Sequence, residues 1–154
     1  MAGRVETALA AAGHTLPAAP APAANYVPFV RTGSLLFVSG QISRAPGGEE
    51  VTGTLGAGLS VAEGRRAAEI CALNILAQAK AALGDLDRIE AIVRLNGFVA
   101  STAEFTDHPQ VINGASDLIA AALGERGRHS RCALGVISLP FGVAVEIDAV
   151  IACA

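Results

Sequence analysis

A chain of 154 residues fits one domain with a substantial core. Its 11 Lys and Arg against 14 Asp and Glu leave a net charge of −3, which gives no sign of a phosphate-binding surface. Hydrophobic residues make up 52% of the chain, yet Gly, Pro or a charge interrupts each apolar run before membrane-spanning length, so part of that surface is expected to meet other subunits.

Residues 1–16 can form a short amphipathic helix with Val5, Leu9 and Ala12 on one stripe. Residues 17–24 are an Ala/Pro linker that favours extended backbone, so residues 1–24 read as an N-terminal extension and 25–154 as the domain. Short β runs are predicted over 26–31 and 35–39 around the turn Thr32-Gly33-Ser34, followed by an irregular glycine-rich connection over 46–58. Ser60-Val-Ala-Glu63 is a capping box opening a helix to about Leu83, with Gly84 at its end. A strand over 89–99 follows. Asp107 then caps a second long helix with Pro109 in its first turn, and Gly124 stops it. A polar loop over 126–130 leads into the last two strands. The order is ββαβαββ: an α+β sandwich of about six strands with two helices on one sheet face. No helix remains for the other face, so another subunit is its expected cover.

The last two strand runs read as an apolar hairpin across Leu139-Pro-Phe-Gly142. Arg131 opens the first and Glu146 lies inside the second. Both charges are costly to bury unless paired or matched to a ligand, which points to a small anionic ligand clamped by Arg131. A structural ion pair across adjacent strands is the plain alternative. Cys71, Cys132 and Cys153 are odd in number and lack metal-like spacing. With no signal peptide read at the N-terminus, they are expected to be reduced, mostly buried thiols of a cytoplasmic protein. His14, His108 and His129 do not cluster as ligands would, and Lys80, the single lysine, is remote from this hairpin. Neither a metal nor a cofactor is expected.

From residue 26 onward the chain resembles the Rid family, also called YjgF: the reactive-intermediate deaminases, once labelled endoribonucleases. The matches come in order: Tyr26, then Phe37-Val-Ser-Gly-Gln-Ile42, Asn113 in the second helix, Arg131 nine residues before Pro140, and Glu146 six after it. The resemblance implies a chorismate-mutase-like fold, a homotrimer, and pockets between subunits in which 2-imino or enamine acids are hydrolysed to 2-keto acids and ammonia. It implies that Arg131 pairs with the substrate carboxylate and Glu146 positions or activates water, with Tyr26, Ser39, Gly40 and Asn113 lining the pocket. The family often has Cys two residues after the arginine. Here that place is Ala133, whose carbonyl can still hold water, and Cys132 beside it points to the opposite face of a strand.

Imine hydrolysis needs an oriented electrophile, a delivered water and a proton on nitrogen. A guanidinium fork suits the carboxylate and a carboxylate suits the water. Three other functions compete. A pericyclic catalyst for a dicarboxylate would need a second cation, a keto-acid sensor would have no use for Glu146, and a ribonuclease would want more aromatics and a histidine pair.

Overall fold

The computed structural model describes residues 2–154. Its centre is a five-stranded mixed sheet in the order β1-β2-β7-β5-β6. The strands are β1 (Phe29–Thr32), β2 (Leu35–Ile42), β5 (Ile89–Ala100), β6 (Ser130–Val136) and β7 (Val145–Cys153). Only β5 and β6 run parallel. The glycine-rich connection folds into two short paired segments, β3 (Thr54–Leu55) and β4 (Gly58–Leu59), so the main sheet has five strands and not the expected six or so.

Two helices, α2 (Val61–Leu83) and α3 (His108–Leu123), pack on this sheet, and a third, α1 (Arg4–Ala11), packs against α3. The capping box of α2 is formed, with Ser60 Oγ accepting from Glu63 N at 3.1 Å and Glu63 Oε2 accepting from Ser60 N at 2.7 Å. Gly84 closes the helix in left-handed geometry. α2 and α3 approach closely because Gly114 has no side chain; a Cβ there would lie 2.2 Å from Arg65 O. α1 is shorter than expected. Its Val5 and Leu9 are fully buried in the same apolar core, and its Glu6 is paired with Lys80 of α2.

Burial alternates along β7 and the first half of β2 as a one-sided sheet requires. Val145, Ile147, Ala149, Ile151 and Cys153 of β7, with Leu36, Val38, Leu95 and Val99, face the helices and are buried. The alternate positions Phe37, Phe98, Glu146 and Asp148 face the other way. With Leu134 they line a sheet face that no helix covers, where Phe37 is 44% and Leu134 52% exposed.

The C-terminal hairpin is a correction. β6 and β7 never pair, because β5 lies between them. The connection, residues 137–144, holds a 3₁₀ turn over Pro140–Gly142 and carries the chain across β5 to a slot beside β2. Apolar strands adjacent in sequence suggest a hairpin, but a partner already hydrogen-bonded along β5 takes precedence.

Candidate functional site

Glu146 lies on the uncovered face of β7, opposite Ile42 of β2 on one side and Phe98 of β5 on the other. Gly40 sits at a register shift in β2 and makes room for it. A Cβ on Gly40 would meet Glu146 Cδ at 3.0 Å and Oε2 at 3.1 Å. Burial pushes the Glu146 carboxyl above its ordinary value, and the Asp148 carboxylate on the same face pushes the same way. The carboxyl opens into a cavity of about 470 Å³.

The walls of that cavity come from three places. The Ala/Pro segment 20–24 runs along one side with Tyr26 and Pro28, and the loop 44–47 and Phe141 close another. The buried amides of Asn74 and Gln78, both on α2, together with Gln41 of β2, form its polar floor. Gln78 donates to Pro20 O at 2.7 Å, which fastens the segment against the protein. Tyr26 is 46% exposed and accepts only the weak 3.4 Å bond from Ala23 N, so its hydroxyl keeps its hydrogen to donate. Ser39 stands next to Gly40, but its hydroxyl is spent on Val27 O at 2.8 Å, anchoring the chain that carries Tyr26.

Arg131 is elsewhere. It pairs in register with Leu95 and so faces the helices, with Ala133 on the same side. Its guanidinium donates from Nη1 to Ser116 Oγ at 3.0 Å and from Nη2 to Pro109 O at 3.2 Å. Among the described residues no carboxylate lies within ion-pair distance of it. Asn113 shares the α3 face of Pro109 and Ser116 at helical spacing, so it belongs to this cluster. The structural ion pair considered for Arg131 and Glu146 is therefore excluded within one chain. The two residues lie on opposite sheet faces with β5 between their strands.

The expected residues thus fall into two groups: Tyr26, Gly40 and Glu146 around the cavity with Ser39 beside them, and Arg131, Ala133 and Asn113 where β6 meets α3. Sequence reasoning missed Arg44, a cation that lines the Glu146 cavity. It is paired with Glu50 at 2.7 Å and stacked over the Phe141 ring at 4.7 Å. Phe141 holds a left-handed backbone (φ 59°) that is uncommon for an aromatic residue. Cys132 faces away from Arg131, toward the uncovered sheet face, where Arg94 Nη2 lies 2.9 Å from its sulfur. It is half-buried, whereas Cys71 and Cys153 are buried as expected. Among the described residues no three His, Cys, Asp or Glu side chains are grouped to hold a metal ion, and no helix is long and apolar enough to cross a membrane.

Residues 6–146 match a family model described as "YjgF/chorismate_mutase-like, putative endoribonuclease". The Trypanosoma cruzi protein TCP17 is 54% identical over 150 residues, covering 97% of this chain and 94% of that protein. The crystal structure of Atu1372 from Agrobacterium tumefaciens, a protein of unknown function, superposes with a TM-score of 0.92 at 54% identity, covering 97% of this chain and 92% of that one. RidA from an Antarctic Psychrobacter species is more distant, with a TM-score of 0.62 and 27% identity over 87% of this chain and 93% of its own.

Proposed function

The chain belongs to the YjgF/chorismate mutase-like family, and we propose that it is a cytoplasmic enzyme hydrolysing small reactive 2-imino acids, with their enamine tautomers, to 2-keto acids and ammonia. The observation that carries this reading is the pairing of unlike half-sites. A half-buried carboxylate with a raised pKa lines a cavity, and a guanidinium without a carboxylate partner stands at the far sheet edge. The likeness to RidA supports it.

One chain cannot bring the two together, so on this reading the working site lies between subunits, in the homotrimer that the family resemblance implies. The uncovered apolar sheet face supports such an assembly. Arg131 of one subunit holds the substrate carboxylate through its planar fork. Glu146 of the next takes a proton from water as the oxygen attacks the C=N carbon. That proton passes to nitrogen, and the carbinolamine collapses to a keto group and ammonia. A carboxyl with a raised pKa suits a group that both takes and returns a proton. Tyr26 and Asn113 supply further polar contacts, with the Ala133 carbonyl beside Arg131. The net charge of −3 speaks against a polyanionic substrate such as RNA.

The test is ammonia release from imino acids generated in situ by an amino-acid oxidase, over a panel of amino acids, beside the mass by light scattering. Accelerated imine decay and a trimeric mass are expected. Decay at the uncatalysed rate for every amino acid, with keto acids still binding, would make the protein a carboxylate sensor.

A further inference from the structure

We propose that Ser116 and His129 are positioning residues that hold the Arg131 guanidinium in its ligand-binding orientation; this rests on the reading of Arg131 as the carboxylate clamp. The hydrogen bonds have a direction that can be derived. His129 Nδ1 lies 2.6 Å from Gly127 O. A carbonyl only accepts, so Nδ1 carries the hydrogen, and in a neutral ring Nε2 is left as an acceptor. Ser116 Oγ, 2.8 Å from Nε2, therefore donates to it. The serine hydrogen is then committed, and its lone pairs face Arg131 Nη1 at 3.0 Å. The chain runs from Arg131 through Ser116 and His129 to the backbone.

That backbone end is fixed. Gly127 closes the 3₁₀ turn Gly124–Gly127 and packs so tightly on α3 that a Cβ there would lie 2.6 Å from Ile119 O. The Pro109 carbonyl holds the other terminal nitrogen. Both acceptors that touch Arg131 are neutral. A carboxylate in either place would also orient the side chain, but it would cancel the charge that an anionic ligand needs. Two neutral acceptors fix the fork, leave its charge uncompensated and remove rotamer entropy before the ligand arrives.

The experiment measures calorimetric binding of a small 2-keto acid, with KM and kcat for ammonia release, on the assembled protein carrying Ser116→Ala, Ser116→Thr, His129→Ala, His129→Gln or Arg131→Ala. Ser116→Ala is expected to raise keto-acid Kd and KM about tenfold, since it loses a hydrogen bond to a charged group, and His129→Ala about threefold, since it loses a neutral one, while kcat stays within about twofold in both. Ser116→Thr keeps the hydroxyl and His129→Gln offers an oxygen near Nε2, so both are expected to restore binding. Unchanged Kd in both alanine variants, with binding lost in Arg131→Ala, overturns this inference and leaves the clamp standing. Unchanged Kd in Arg131→Ala overturns the clamp itself. If Ser116→Ala does not fold, Ser116→Cys takes its place with the same expectation.

Discussion

At the β2–β7 end of the sheet a carboxylate sits half-buried among alanine, proline and buried amides. At the β6 edge a guanidinium stands against a hydroxyl and a backbone carbonyl. The first environment works on protonation: desolvation and the Asp148 carboxylate hold the Glu146 proton more tightly. The second works on orientation, since an arginine keeps its charge at any working pH and only its direction can be tuned. Within one chain β5 keeps the two groups apart and on opposite sheet faces, so neither neutralises the other there. Neighbouring from the start, they would form an ion pair, lower the carboxyl pKa and neutralise the clamp.

Substitutions that attack one region at a time separate the two roles. Glu146→Gln removes the base and is expected to lower kcat by roughly 10²–10⁴-fold, with keto-acid binding kept or tightened. Full turnover in that variant would leave water activation to the backbone. Arg131→Ala is expected to weaken keto-acid binding about a hundredfold, and Arg131→Lys to recover only part of it, because an ammonium has no fork. Gly40→Ala places a methyl group 3.0–3.2 Å from the Glu146 side chain. It is expected to cut kcat about tenfold through a misplaced carboxylate, with binding at the Arg131 half little changed.

The raised Glu146 pKa gives a smaller, signed effect. A carboxyl that holds its proton more tightly folded than unfolded costs nothing below the unfolded value of about 4.3. As pH rises through the window up to its folded value, stability falls, because there the folded state binds more protons than the unfolded. The melting temperature of Glu146→Gln minus that of the parent is thus expected to grow across that window, and the acid limb of kcat in the parent to lie above the ordinary glutamate range. A difference flat with pH would mean that the carboxyl is not desolvated. Smallest of all is Cys132→Ser, which is expected to leave turnover intact because the thiol faces Arg94 and not Arg131.

Much of this organisation is legible in the sequence because it is local. The capping box at Ser60, the stop at Gly84 and Pro109 in the first turn of the helix over 108–123 are signals within a turn of the element they define, although Asp107 precedes that helix without the expected side-chain cap bond. The spacing of Arg131, Pro140 and Glu146 pointed to the two charged groups that the structure separates. Long-range pairing is not legible in this way. Nothing in residues 130–153 says that β5 takes the place between β6 and β7, so the hairpin reading failed where strand order decides. Arg44 and Ser116 are missed for the same reason, while His129 draws notice only for its place two residues before Arg131. Arg44 reaches the cavity through the loop 44–47, and Ser116 and His129 matter only because α3 and β6 lie side by side.

The account's central claim is that Arg131 and Glu146 act on one substrate from different subunits, and subunit mixing tests it most directly. Arg131→Ala and Glu146→Gln proteins, each strongly impaired alone, are unfolded, combined in equal amounts and refolded together, and ammonia release at subsaturating substrate is compared with that of each variant refolded by itself. In a randomly mixed cyclic assembly about a quarter of the interfaces join an intact Arg131 to an intact Glu146, so roughly a quarter of the parent activity is predicted to return. Mixed assemblies that form, by mass, yet stay as impaired as their parents would mean that both groups must come from one chain, and would contradict the two-subunit site.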